Sequence, residues 1–273
     1  MVRSSPRCDV LPVTPFETVA EAYGCSAAAW KAGPERVYAR MAEVLVGRLA
    51  LVSGSSALDL GAGTGAATLS LERRGAVVTA LDIAPEMLAL DVGARPSCVV
   101  GDARALPFTD ESFDFVVAAF SLNHLCQPAR GLTEVRRVTR PGGRAIVSAY
   151  ASDDDHPVKA AVVAAVSERG WTPPASMERI RRHAMPKLAT VSRAVAELNA
   201  AGLSGTAELV RIAVPDMTGA DLVEWRLGMA DTAAFLDDLG SDETDALRAR
   251  CHELLGDTPP PLVRSIIVIT IDP

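Results

Sequence analysis

One stretch constrains the fold of this chain more than any other. "LDLGAGTGAATLSLERRGAVVTALD", residues 58–82, runs from an apolar strand through a glycine turn and a helix to a second strand. Ala57–Leu60 and Val77–Leu81 are the strands and Gly65–Arg73 the helix, which makes one βαβ unit with a right-handed crossover. The pattern repeats. Further strand-like runs lie at Ser97–Val100, Phe113–Ala118 and Arg144–Tyr150, the last after a turn at Arg140-Pro141-Gly142-Gly143. Helical segments at Pro85–Leu90 and Ala129–Thr139 separate them, so the chain predicts an α/β fold around a parallel sheet.

The flanks differ from this core. Two helices, Glu17–Trp30 and Pro34–Leu49, precede it. Residues 151–187 read as helical and are broken by Pro173-Pro174 and by Pro186, and Val191–Ala201 is a further helix. A strand covers 206–214, two or three helices lie in 218–256, and "SIIVITI" (265–271) is a β-branched final strand. The expected organisation is a helical cap over 1–50 and a core over 51–150, with the sheet completed by 188–214 and 263–273. Residues 151–187 and 215–262 form a helical lid.

Composition excludes several classes. With 273 residues and 49% apolar content there is material for one large α/β domain. No apolar run reaches the roughly 20 residues of a membrane helix, and "MVRSSPRCDV" has no hydrophobic region of a secretory signal, so a cytoplasmic location is expected. A net charge of −7 argues against a nucleic-acid partner. The five cysteines (Cys8, Cys25, Cys98, Cys126 and Cys251) are odd in number and scattered, which suits neither a disulfide framework nor a zinc site. His124-x-Cys126 has no third ligand nearby, so no metal is expected.

The glycine loop is the candidate binding element. A triphosphate loop ends in Gly-Lys-Ser/Thr, and no lysine stands here. Gly61, Gly63 and Ala66 satisfy the dinucleotide fingerprint, and Asp82 lies about 20 residues on, where an acid binds a ribose. Asp59, two positions before the first glycine, opposes a pyrophosphate by like-charge repulsion and suits a ligand carrying an ammonium and a sulfonium. Asp102, at the end of the third strand, can accept a hydrogen bond from an adenine amino group.

"LDLGAGTG", "ALDIAPEML", "GDARALPFTDESFDFVV", "FSLNHL" and "EVRRVTRPGGRAIVS" follow one another in order. Together they resemble the motifs of class I S-adenosylmethionine-dependent methyltransferases, most closely the branch acting on small molecules and quinones. The resemblance covers residues 57–150, with a weaker likeness in "FETVAEAYGCSAAAWKAGP". It implies a Rossmann-like, seven-stranded mixed sheet with helices on both faces and an added helical lid, and S-adenosylmethionine as cofactor. Gly61, Ala62 and Gly63 would then let the backbone approach the methionine part, with Asp59 orienting its ammonium. Asp82 would accept the ribose hydroxyls, Ile83 and Met87 would pack on the adenine, and Asp102 with the Ala103 N–H would read its edge. Phe120 would offer its carbonyl near the ammonium, and Tyr23 would close over the carboxylate.

In the resembled motif a histidine serves some small-molecule members as general base, and His124 stands in that place, beyond strand four. Asn123 departs from relatives with a His-His pair, and "VSAY" lacks the acid that some carry after strand five. His124 therefore reads as a base, as a residue shaping the cofactor pocket, or as structure. Tyr23, Trp30, Tyr150, Trp171 and Trp225 concentrate in or beside the lid of a chain with only 4% aromatics, which points to an apolar or aromatic small-molecule substrate. "ERIRRHAMPK" (178–187) reads as a solvated face or a site for an anionic substrate group. Three functions follow: methyl transfer to oxygen, carbon or nitrogen in secondary or quinone-like metabolism; cyclisation or rearrangement by a cofactor-bound relative that does not methylate; or a binding protein that senses the cofactor.

Overall fold

The computed structural model describes residues 19–90 and 96–272. Cys8 and the start of the expected first helix lie outside these residues. Seven strands form one sheet: β1 (Ser56–Leu60), β2 (Val77–Asp82), β3 (Ser97–Val100), β4 (Phe113–Ala119), β5 (Thr139–Tyr150), β6 (Gly205–Val214) and β7 (Leu262–Ile271). Their order is β3-β2-β1-β4-β5-β7-β6. The first five run parallel, while β7 lies antiparallel between β5 and β6. The strand order reverses between β1 and β4, and in such sheets ligands bind beyond the carboxyl ends at that point.

The sheet is buried on both faces because its strands alternate between two apolar layers. Ala57, Val117, Ile146 and Val268 face one layer, and their neighbours Leu58, Val116, Val147 and Ile267 face the other. On the first face pack α2 (Pro34–Val46), α3 (Ala66–Glu72), α6 (Pro157–Ser167), α9 (Gly219–Leu227) and α11 (Ser241–Leu255). The second face carries α5 (Pro128–Val138) and α8 (Val191–Ala200). In α2, Val37, Met41 and Leu45 recur every fourth residue and are fully buried. Each contributes about 1.5–3 kcal/mol by leaving water. Four helices remain: α1 (Val19–Ala32), α4 (Pro85–Ala89), α7 (Ala175–His183) and α10 (Ala233–Asp237). None of the described helices is long and apolar enough to cross a membrane.

One local expectation is corrected. Arg140-Pro141-Gly142-Gly143 does not precede the fifth strand but lies inside it. Phe113 pairs with Thr139 and Phe115 with Arg144, so four residues bulge out opposite Asp114 alone. A proline cannot donate to the ladder, and a bulge is where a strand tolerates one.

Candidate functional site

A cleft of about 1930 Å³ opens beyond the carboxyl ends of β1 and β4 and runs under α1, α7 and α9. That exceeds the roughly 300–1,000 Å³ of a site for one small ligand, so it has room for two. Every candidate residue of the sequence analysis (Tyr23, Asp59, Gly61, Ala62, Gly63, Asp82, Ile83, Met87, Asp102, Ala103, Phe120 and His124) lies in its wall.

At the glycine end two acids are held by hydrogen bonds from nearby residues. Asp82 accepts the Gly63 N–H at 2.8 Å on one carboxylate oxygen and the Ala84 N–H at 2.9 Å on the other. Asp82 is thus a buried carboxylate whose orientation is fixed by backbone donors on both oxygens. Asp59 is buried and accepts the Thr68 hydroxyl at 2.7 Å.

The two glycines of the loop differ. Gly61 has φ +75°, and a Cβ there would sit 2.3 Å from the Ser121 Cβ. At Gly61 it is Ser121, whose hydroxyl donates to the Leu60 carbonyl at 2.7 Å, that excludes a side chain. Gly63, at φ +53°, would place a Cβ only 3.7 Å from the Met87 methyl, an ordinary contact. Among the described residues no atom crowds that Cβ position, and Gly63 lines the cleft. Beside it the buried Thr64 hydroxyl has no hydrogen-bond partner among the described residues.

Ile83 is 44% exposed, an apolar surface suited to a flat ligand, whereas Met87 packs against Ala27, Trp30 and Ala84 while touching the cleft. Asp102 is engaged differently from the expectation. Arg104 donates to it through Nε at 3.0 and 2.9 Å, through Nη2 at 2.5 Å and through its backbone N–H at 2.8 Å. These bonds hold its carboxyl below the usual range and use its acceptor positions. The Ala103 N–H lies alongside on the same rim.

An aromatic wall joins the two ends of the cleft. Tyr23 meets Trp30 at 5.3 Å between ring centroids, Trp30 meets Tyr38 at 4.7 Å, and Phe120 stacks on Tyr150 at 4.6 Å. Phe120 itself holds φ +59°, a conformation that costs a non-glycine residue about 1–3 kcal/mol and marks functional sites. Trp225 lines the cleft as well, but Trp171 does not: its indole donates at 2.9 Å to the Asp231 carbonyl, a structural bond.

His124 stands at the Tyr23 end. Its Nδ1 lies 3.2 Å from the Ser121 carbonyl and its Nε2 lies 3.1 Å from the Tyr23 hydroxyl. A carbonyl can only accept, so Nδ1 carries the proton and Nε2 accepts from Tyr23. Burial pushes the Tyr23 phenol well up, which keeps it a donor, and lowers the imidazole to about 4. The imidazole is neutral at physiological pH.

Several residues escaped the sequence reading. Ser121 ties the glycine loop to His124, and its only signal is its position directly after β4. Tyr38 accepts a short hydrogen bond from the Tyr150 hydroxyl. Arg264 lies over the Tyr150 and Trp225 rings at 4.5 and 4.6 Å and donates to Asp154 at 3.0 and 2.6 Å. No short motif links residues so far apart. In the basic stretch 178–187, Arg182 pairs with Glu178 at 2.6 Å, while Arg181 reaches the buried Asp231 at 3.2 Å.

Strand order, glycine loop and paired acids define a nucleotide-type binding fold, and comparison with known proteins shows what it resembles. Residues 58–147 match the family described as a methyltransferase domain. The chain is similar to that family over its glycine loop, Asp82, Asp102 and His124. It is 36% identical over 137 residues to the demethylmenaquinone methyltransferase of Corynebacterium efficiens, a match covering 50% of this chain and 58% of that protein. Among solved structures it resembles a Haloferax volcanii protein in complex with a methyltransferase activator. There the TM-score is 0.59 at 21% identity, covering 94% of this chain and 99% of that one. It also resembles the [4+2]-cyclase SpnF, with TM-score 0.52 at 19% identity, covering 86% and 81% of the two chains. These structural likenesses speak for the fold alone.

Proposed function

We propose that this protein transfers a methyl group from S-adenosylmethionine to a small, flat, apolar or aromatic metabolite of quinone-like or secondary metabolism. The observation that carries this reading is the cleft of about 1930 Å³, with a glycine loop and fixed acids at one end and a continuous aromatic wall beside them. When bound, the cofactor supplies an electrophilic methyl on a positively charged sulfur.

The chain's own residues do the rest. Asp82 binds the ribose hydroxyls, Asp59 and the Phe120 carbonyl face the ammonium, and the bare Gly63 backbone and Thr64 hydroxyl meet the methionine part. Ile83 and Met87 flank the adenine, and Asp102 and the Ala103 N–H read its edge once Arg104 yields. Tyr23, Trp30, Tyr38 and Tyr150 hold the acceptor flat and exclude water, which aligns the reactants. A substrate hydroxyl replacing that of Tyr23 would donate to His124 Nε2. An imidazole near pKa 4 is a weak base, so it serves acceptors whose proton becomes acidic as the methyl attaches. The helices of residues 19–50, 151–187 and 215–262 serve as the cap and lid.

The test is incubation with S-adenosylmethionine labelled in its methyl group and a panel of hydroxynaphthoquinones and naphthoquinols, among them a demethylmenaquinone chemically reduced to its quinol. Labelled product with one equivalent of S-adenosylhomocysteine is expected. Rearranged product without S-adenosylhomocysteine would instead favour a cofactor-bound cyclase, and tight cofactor binding with no turnover a sensor.

A further inference from the structure

We infer that the end of the cleft opposite the glycine loop is a subsite for an anionic oxygen carried by the substrate. This rests on the methyltransferase reading for what else the cleft holds, though not for its own chemistry. Two side chains carry it. Arg264 is 3% exposed, with Nε and Nη2 committed to Asp154. Its Nη1 has no hydrogen-bond partner among the described residues. Trp225 is 1% exposed, lies against the same guanidinium, and its Nε1–H is likewise without a partner among them. Both residues line the cleft.

A buried donor left unmade costs about 1–3 kcal/mol, and more on a charged group. Two such donors, on side chains that stack in one cleft wall, both lack an acceptor among the described residues. Neither group can accept a hydrogen bond, so the partner is an oxygen and not an N–H or O–H donor. The surrounding charge gives the oxygen its sign. Lys159 and Arg264 share Asp154, Arg181 and Arg226 share Asp231, and Arg181 and Arg182 share Glu178, so in this network five cations stand against three carboxylates. A carboxylate, phenolate or enolate oxygen restores the balance. Tyr150, stacked on Phe120 and lying under Arg264, makes the wall beside that oxygen aromatic.

The test is calorimetric titration of the whole protein, with and without S-adenosylhomocysteine, using benzoate, 2-naphthoate and 9-anthracenecarboxylate against their primary amides. At least one acid is expected to bind about tenfold or more tightly than its amide, as a charge-assisted bond should. Trp225→Phe keeps the ring under Arg264 and removes only the donor; it should cut that preference several-fold. Arg264→Lys retains a cation for Asp154 and should cut it further. Equal affinity for acid and amide at all three ring sizes overturns the subsite, as does a preference that both variants leave unchanged. If the acid preference stands but S-adenosylhomocysteine does not bind, the cofactor reading falls and the subsite survives.

Discussion

The two ends of the cleft are built in opposite ways. At the glycine end, residues 59–68, 82–87 and 102–104 bond to partners close by in sequence or fold, and the buried charges are the carboxylates of Asp59 and Asp82. At the other end Tyr38, Tyr150, Trp225 and Arg264 come from four separated elements, and the excess charge is positive. The first end is a local motif that any chain with this βαβ turn can carry. The second exists only because β7 inserts between β5 and β6 and brings Arg264 beneath α9. On the proposed function a cationic ligand would take the first and an anionic one the second, so that the cleft would sort its two reactants by sign.

The largest effect that sharpens this contrast concerns Asp82. Asp82→Ala removes the acceptor for two hydroxyls and should weaken S-adenosylhomocysteine binding by about 100-fold or more. Binding of aromatic acids should hardly change. Loss of both affinities together would break the separation of the two ends.

Next come the glycines. Gly61→Ala meets the Ser121 Cβ at 2.3 Å and a positive φ, so it should destabilise the fold by about 2–3 kcal/mol in chemical denaturation. Gly63→Ala meets no such clash and should cost only about 1 kcal/mol of stability from its φ, while weakening S-adenosylhomocysteine more than Gly61→Ala weakens it in the folded fraction. Equal stability losses would show that the loop has one role at both positions.

The glycine end was legible in the sequence because its chemistry is written in consecutive residues. Strand, glycines and the acids Asp59 and Asp82 stand at fixed spacings, and each reaches the cleft as that spacing implies. Three details were not legible. Ser121 excludes a side chain at Gly61 from 60 residues away in sequence, Arg104 occupies Asp102 through rotamers no pattern reveals, and the bulge at Pro141 depends on pairing with Asp114. The distal end was hidden for a stronger reason: aromatic and arginine residues on separate helices and strands have no period that marks them as neighbours. Trp171 shows the converse, since its place in the lid suggested the pocket and tertiary packing turned it away.

A smaller effect tests the His124 environment. The imidazole is held at about 4 when folded, against about 6.5 unfolded, so the unfolded chain takes the proton first as pH falls. This contribution to stability is present above pH 6.5 and is lost as pH falls towards 4. Allowing for partial exposure, the loss should be roughly 2 kcal/mol, and His124→Gln should flatten it in denaturation curves at pH 7 and pH 4.5. A His124 imidazole titrating near 6.5 by NMR would contradict the buried, Tyr23-bonded tautomer. The smallest effect is at the rim. Arg104→Ala breaks an exposed ion pair worth about 0–1 kcal/mol and frees Asp102, so S-adenosylhomocysteine affinity should hold or rise by up to about threefold. A fall would make Arg104 itself a ligand contact.

The central claim is that the glycine end holds S-adenosylmethionine and not a dinucleotide. Calorimetric titration of the intact protein with S-adenosylhomocysteine and, separately, with NAD tests it most directly. One equivalent of S-adenosylhomocysteine should bind, with no heat from NAD and with binding abolished or nearly so in Asp82→Ala. Stoichiometric NAD binding with none of S-adenosylhomocysteine would contradict the account.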